Sequence, residues 1–279
     1  MRQALAAIAS WPAGRAAAGA VDRDGQRWAA GDGGRFAWAS VTKTVTALAV
    51  LVACEEGTIA LGDEVITGVS VRHLLAHAGG LGPDFPVRRL AAPGTRRVYS
   101  NAGFELLADH LAGRAAMTFR QYLGEAVLDP LGMTSTQLEG SAAAGLSGPL
   151  ADLLAVAGEL LRPTLVSPKT MAEASVVAFP GLDGVLPGFG MQRPCDWGLG
   201  FEIKDAKAPH WTGALNSPAT FGHFGRSGSF VWVDPQAGLA TAALADRDFG
   251  GWAAATWPTF SDGVLRAYRA GRQQVRSPG

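Results

Sequence analysis

The chain has 279 residues, 48% of them apolar and 17% charged, with 24 basic residues against 24 acidic ones. That is enough apolar material for one large domain or two modest ones. A formal net charge of zero leaves no basic stripe to recommend nucleic acid and no basic amphipathic helix to recommend a membrane surface.

Two cysteines, Cys54 and Cys195, make no disulfide framework, and no Cys/His spacing reads as a zinc site. His73 and His77 form an i, i+4 pair, but the glutamate of a zincin helix is absent, so helix packing is the expectation for both. The N-terminus has one basic residue, Arg2, and a short apolar run cut by Pro12, which is weaker than a secretory signal. No later uncharged run is long enough to span a bilayer, so a cytoplasmic protein is expected.

In chain order, Ala17 to Val21 and Gln26 to Ala30 read as two short strands around the turn Asp22-Arg23-Asp24-Gly25. From Val41 to Glu55 the sequence reads as a helix apolar nearly all round, the pattern of a buried helix. Ser40 stands where that helix would start, as a capping residue would. Lys43 lies one turn further on the same face and is the only charge before Glu55. A lysine in such a place must be paired or put to use. The chain has only four lysines, Lys43, Lys169, Lys204 and Lys207, and otherwise relies on arginine. Arginine cannot lose its proton usefully, whereas a desolvated lysine can and could activate a serine hydroxyl.

Ser70 caps a short helix that Gly79-Gly80 ends, and residues 82 to 98 form a proline-bearing loop. Tyr99-Ser100-Asn101 directly precedes a helix over Ala102 to Leu111, for which Asn101 is a candidate cap. Further helices are expected over 118 to 128, 150 to 161 and 167 to 175. Residues 177 to 196 read as a connecting loop, Trp197 to Lys204 as a strand, and Gly222 to Gly228 as a Gly-interrupted stretch. Ser229 to Val233 and Leu239 to Ala245 form a hairpin, and a closing helix covers 258 to 270. The expected fold is α+β. An antiparallel sheet is built from 1–57 and 185–279 and flanked by N- and C-terminal helices. A mostly helical lobe over 58–184 is inserted, with the site in the cleft between the two.

Three separated elements ask to be read together: Ser40-Val41-Thr42-Lys43, Tyr99-Ser100-Asn101 and His223-Phe224-Gly225. Their order and types resemble the serine β-lactamase and penicillin-binding-protein-like superfamily, in its class C β-lactamase, D-alanyl-D-alanine carboxypeptidase and family VIII esterase branch. Supporting stretches include Leu74 to Leu81, Asp129 to Met133 and Trp197 to Phe201. The resemblance implies that Ser40 forms an acyl-enzyme and that Lys43 and Tyr99 move its proton, with the tyrosine as the favoured base. It implies that Asn101 orients Lys43 and contacts substrate, that His223 and Gly225 line the cleft, and that the backbone N–H groups of Ser40 and Arg226 form the oxyanion hole. No cofactor or metal is implied, and the partner is a small ester, amide or lactam. His223 stands where the third motif has lysine, which turns the expectation from β-lactam toward an esterase-like hydrolase. A β-lactamase or D,D-peptidase, an acyltransferase on the same site, and a non-catalytic scaffold are the alternatives.

Overall fold

The structure is a computed structural model that describes residues 1–276. Its centre is a six-stranded antiparallel sheet whose strands run in the order Glu202–Ile203, Phe221–Gly225, Ser229–Asp234, Leu239–Ala245, Ala16–Asp22 and Arg27–Gly31. The first hairpin and the strands at the far end of the sequence therefore share one sheet, as expected. The central strands Ser229–Asp234 and Leu239–Ala245 are buried along their whole length, and Ala16–Asp22 from Ala17 onward, so both faces must be covered. The strand period of two sorts the side chains between two cores. Val231 and Val233 join the larger apolar cluster, and Phe230 and Trp232 join the smaller one on the opposite face.

The smaller cluster is closed by the C-terminal helix Gly251–Arg276, whose Trp257 packs against Phe230 at 5.0 Å and whose Ser261 accepts the Trp232 indole N–H at 3.1 Å. This helix begins seven residues before the expected start, and Pro258 lies inside it. The buried stripe Ala253, Trp257, Phe260, Val264 and Leu265 offsets the hydrogen bond that proline removes.

On the other face lies the helix Leu150–Leu161, found at its expected boundaries. It packs on the strands Ala16–Asp22, Ser229–Asp234 and Leu239–Ala245, so part of the 58–184 stretch belongs to the sheet layer rather than to a separate helical lobe. Beside it runs Thr42–Glu55, buried from Thr42 to Ala53 and wedged between the strand Phe221–Gly225 and the helix Asn101–Ala115. Among the described residues no helix is long and apolar enough to cross a membrane.

Several elements depart from expectation. Phe221–Gly225 is a full strand, so His223 sits inside it rather than ahead of the hairpin. Trp197 to Lys204 contributes only Glu202–Ile203 to the sheet. Gly200 at φ +94° turns the chain there, and the Gly198 N–H meets the Phe201 carbonyl at 2.8 Å. The 177–196 loop contains a small hairpin, Gly184–Leu186 with Gly190–Gln192. The 118–128 helix ends in a π turn, Gly124–Leu128. The Ser70 cap is present as part of a capping box with His73, but the helix stops at Leu75, so His77 lies beyond it. Asn101 is not a cap. Ser100 fills that position and accepts the Gly103 N–H at 3.0 Å.

Close packing of Leu150–Leu161 on the sheet needs a residue without a side chain at Gly19. A Cβ placed there would lie 2.6 Å from Leu154 Cδ1 and 2.8 Å from the Trp28 carbonyl. Gly19→Ala is expected to destabilise the fold by about 1–3 kcal/mol, the usual cost of overpacking. The measurement is a lower urea midpoint with unchanged slope, and an unchanged midpoint would show that this contact has slack.

Candidate active site

Ser40 lies in the middle of a 3-10 turn, Ala39–Val41, that leads into Thr42–Glu55. Its hydroxyl makes no capping hydrogen bond to that helix, so the capping explanation of this serine does not hold. The turn is held under tension. Ala39 has φ +43°, a left-handed conformation that costs a residue with a Cβ about 1–3 kcal/mol. The surroundings that impose it are visible. Ser227 Oγ donates to the Ala37 carbonyl at 2.7 Å, Ser229 Oγ donates to the Trp38 carbonyl at 2.7 Å, and the Trp38 indole donates to the Gly148 carbonyl at 3.1 Å.

Gly225 has a physical reason at this point. A Cβ there would lie 2.4 Å from the Trp38 carbonyl and 3.2 Å from Ala39 Cβ, so the strand end passes directly beside the turn that carries Ser40. Only Phe221 and Gly222 of that strand pair with Glu202–Ile203. Among the described residues the strand edge from His223 onward has no strand partner on that side.

Lys43 is fully buried. Its Nζ lies 3.5 Å from Ser40 Oγ, 2.7 Å from Asn101 Oδ1 and 2.9 Å from the Ala143 carbonyl. The rings of Tyr99 and Phe104 stand 4.9 Å and 5.6 Å from it. Burial lowers its pKa from the ordinary 10.5 to about 7, with Glu105 and Asp84 opposing. Among the described residues no carboxylate touches the amine, so desolvation decides.

Tyr99 lies beside the serine. Burial pushes its phenol well above the ordinary range, opposed by a hydrogen bond with the Ser40 side chain. His223 is buried and its ring centroid is 5.9 Å from that of Tyr99. Its Nδ1 is 2.7 Å from the Phe224 carbonyl, an acceptor only, so Nδ1 carries the proton. Burial, reinforced by the Lys43 charge, lowers the His223 pKa to about 3, and the ring is neutral. Arg226 stands at the rim with its side chain 87% exposed, 3.7 Å from Asp248.

The structure thus brings Ser40, Lys43, Tyr99, Asn101, His223, Gly225 and Arg226 to one place. It also shows residues the sequence did not single out. Asp84, from the proline-bearing loop, accepts from Asn101 Nδ2 at 3.0 Å and so orients the amide with its oxygen toward Lys43. Glu105 accepts the Ala142 and Ala143 N–H groups at 3.1 Å and 3.2 Å, which fixes the turn whose carbonyl receives Lys43. Glu105 follows Asn101 by four residues on one helix face, the single sequence signal that could have found it. A cavity of about 340 Å³ opens beside Ser40, walled largely by Leu186, Pro187, Trp197, Phe224 and Phe249.

An α+β sheet with a buried helix that opens on a paired serine and lysine defines the β-lactamase/transpeptidase class of fold. The beta-lactamase family model matches residues 6–263, and the chain belongs to that family of serine hydrolases. A crystal structure of a beta-lactamase from Mycobacterium bovis is 51% identical, with a TM-score of 0.93 over 95% of this chain and 99% of that one. A mutant simvastatin synthase from Aspergillus terreus shares the fold at 17% identity, with a TM-score of 0.81 over 96% and 94% of the two chains. So does EstCE1, described as a hydrolase with promiscuous acyltransferase activity, at 18% identity and a TM-score of 0.79 over 94% and 97%. No curated protein sequence matches the chain.

The state of Lys43 can be read as stability. Its folded pKa lies below its unfolded one, so the cost of burying the ammonium is present in full below about pH 7 and fades as pH rises toward 10.5. Wild type is expected to gain stability relative to Lys43→Met across that window in paired thermal melts. A difference that stays flat with pH would show that Lys43 keeps an ordinary pKa.

Proposed function

We propose that this chain hydrolyses small esters whose acyl or alcohol part is apolar and uncharged, through an acyl-enzyme on Ser40. The observation that supports this most is the character of the cavity beside Ser40. Its walls are largely apolar; the charged side chains among the described residues lining it are Arg226, which is turned out to solvent, and Glu202, whose carboxylate is already held by Lys207, His210 and Trp211. A β-lactam brings a carboxylate that calls for a buried positive partner. His223, in the place where the family motif has lysine, is neutral and offers an unprotonated Nε2.

In this reading Ser40 Oγ attacks the ester carbonyl as its proton moves to Lys43. The amine is the base because its pKa is near 7 while the Tyr99 phenol stays protonated at neutral pH. The favoured-base role implied for the tyrosine therefore passes to the lysine. Tyr99, which lines the cavity beside Ser40, bridges the proton and then donates it to the departing alkoxide. Asn101 Oδ1 and the Ala143 carbonyl keep the amine aimed at the serine. The N–H groups of Ser40 and Arg226 receive the oxyanion, where charge develops in the transition state. Water repeats the sequence at the acyl-enzyme: Lys43 takes its proton, the hydroxide adds to the carbonyl, and the acid leaves as Ser40 regains its proton.

A second reading, β-lactam hydrolysis, is favoured by the description of the 51% identical structure as a beta-lactamase. Turnover of p-nitrophenyl butyrate beside a chromogenic cephalosporin separates the two. Ester turnover well above cephalosporin opening, lost on the order of 10³-fold or more in Ser40→Ala, is the expected result. Cephalosporin opening faster than ester turnover would overturn the substrate class, and ester turnover surviving in Ser40→Ala would overturn the nucleophile. Ester kcat/KM is also expected to fall as pH drops through about 7, where Lys43 gains its proton. A profile flat from pH 5 to 8 would remove Lys43 as the base.

A further inference from the structure

His77 has a place that helix packing does not explain. It lies past the end of the Val71–Leu75 helix, with φ +53°, a left-handed conformation uncommon for a residue with a Cβ. It is buried, and its Nε2 has no hydrogen-bond partner. Strain and an orphaned donor both weigh against a histidine here, and a role must offset them.

Its contacts converge on Tyr99. The His77 carbonyl accepts the Val98 N–H at 2.9 Å, and its Nδ1 accepts the Ser100 N–H at 3.1 Å. Those are the residues immediately before and after Tyr99. The imidazole lies against the Tyr99 ring at 4.5 Å between centroids, with Phe104 at 5.2 Å and Trp197 edge-on at 4.6 Å. Because Nδ1 accepts, the proton is on Nε2 and the ring is neutral. A neutral ring adds no second positive charge beside Lys43, where an imidazolium would.

One residue back, the Ala76 carbonyl accepts from Arg97 Nη1 at 2.5 Å. Arg97 is buried and also donates to the carbonyls of Cys195, Ala178 and Phe179. Residues 76–77 and 97–100 are thus cross-linked at three successive points. The left-handed turn at His77 lets one residue present both its carbonyl and its ring nitrogen to the same partner segment.

We propose that His77 is a positioning residue for Tyr99. It grips the backbone on both sides of the tyrosine and backs its ring, and so fixes the phenol oxygen against Ser40. This rests on the proposed role of Tyr99 in moving the serine proton. His77 does not itself line the cavity, and its ring meets the wall residue Trp197 edge-on, so its removal should act more on turnover than on substrate affinity.

The test is a double-mutant cycle on ester turnover with Tyr99→Phe and His77→Gly. Glycine removes ring and acceptor while easing the φ +53° backbone. His77→Gly alone is expected to lower kcat roughly 10–100-fold with KM changed less than about threefold. In the Tyr99→Phe background the same change should cost little, because the phenol it positions is gone. Should His77→Gly fail to fold, His77→Asn against His77→Gln carries the test. Asparagine places its amide oxygen near the Nδ1 position and glutamine near Nε2, so Asn is expected to retain activity within about tenfold and Gln to lose more. Losses that add in the cycle, a loss confined to KM, or equal activity of Asn and Gln would each overturn the proposal. A Tyr99→Phe variant as active as wild type would instead overturn the role of the tyrosine.

Discussion

The structure depends on the burial of one ammonium group. Lys43 is fully buried on a helix that is itself buried from Thr42 to Ala53, and among the described residues no carboxylate contacts it. An amine in that position either gives up its proton near neutral pH or is held by neutral oxygens, and here both conditions are met. Asn101 and Ala143 supply the oxygens, and desolvation brings the pKa to about 7. Pairing Lys43 directly with a carboxylate would hold its charge and remove its capacity to accept a proton. Glu105 instead holds the turn that carries the Ala143 carbonyl, one step away from the amine.

The rest of the site follows from keeping that geometry rigid. Ser40 is held by a strained turn, and the strain at Ala39 is sustained by hydroxyls of the neighbouring sheet hairpin. Gly225 lets the sheet come close enough for those bonds to form. Tyr99 lies just ahead of the helix that Asn101 opens. His77 accepts the backbone N–H groups of Val98 and Ser100, Asp84 accepts from the Asn101 side chain, and the Arg97 side chain ties the segment to the Ala76 carbonyl, so this short stretch is held in place by distant partners. Precision at the serine is thus distributed over residues that never meet a substrate.

The parts legible in the sequence were those with a local physical signature. The apolar run after Val41, the lone Lys43 in it, the alternation in 229–245 and the turn residues of the first hairpin each predict one structure. Residues of the three motifs lie close together, with Lys43 Nζ 3.5 Å from Ser40 and 2.7 Å from Asn101, and the His223 ring 5.9 Å from that of Tyr99. What was not legible depends on partners far along the chain. Phe221–Gly225 is broken by glycines in sequence and becomes a strand only because Ser229–Asp234 lies beside it. Pro258 reads as a helix start, and the aromatic core carries the helix through it. Ser100 and Asn101 are both good caps by type, and only the pull of Lys43 on Asn101 decides between them. A left-handed histidine such as His77 has no sequence signature at all.

Lys43 must exchange its proton close to neutral pH if it is to act as the base for Ser40. The chain has only four lysines, so ε-carbon-labelled lysine gives a heteronuclear NMR spectrum simple enough to assign with Lys43→Met. The Lys43 resonance is predicted to titrate near pH 7 in the folded protein. A Lys43 signal that stays charged until about pH 10 would contradict the account, since a permanent ammonium beside Ser40 could not take its proton.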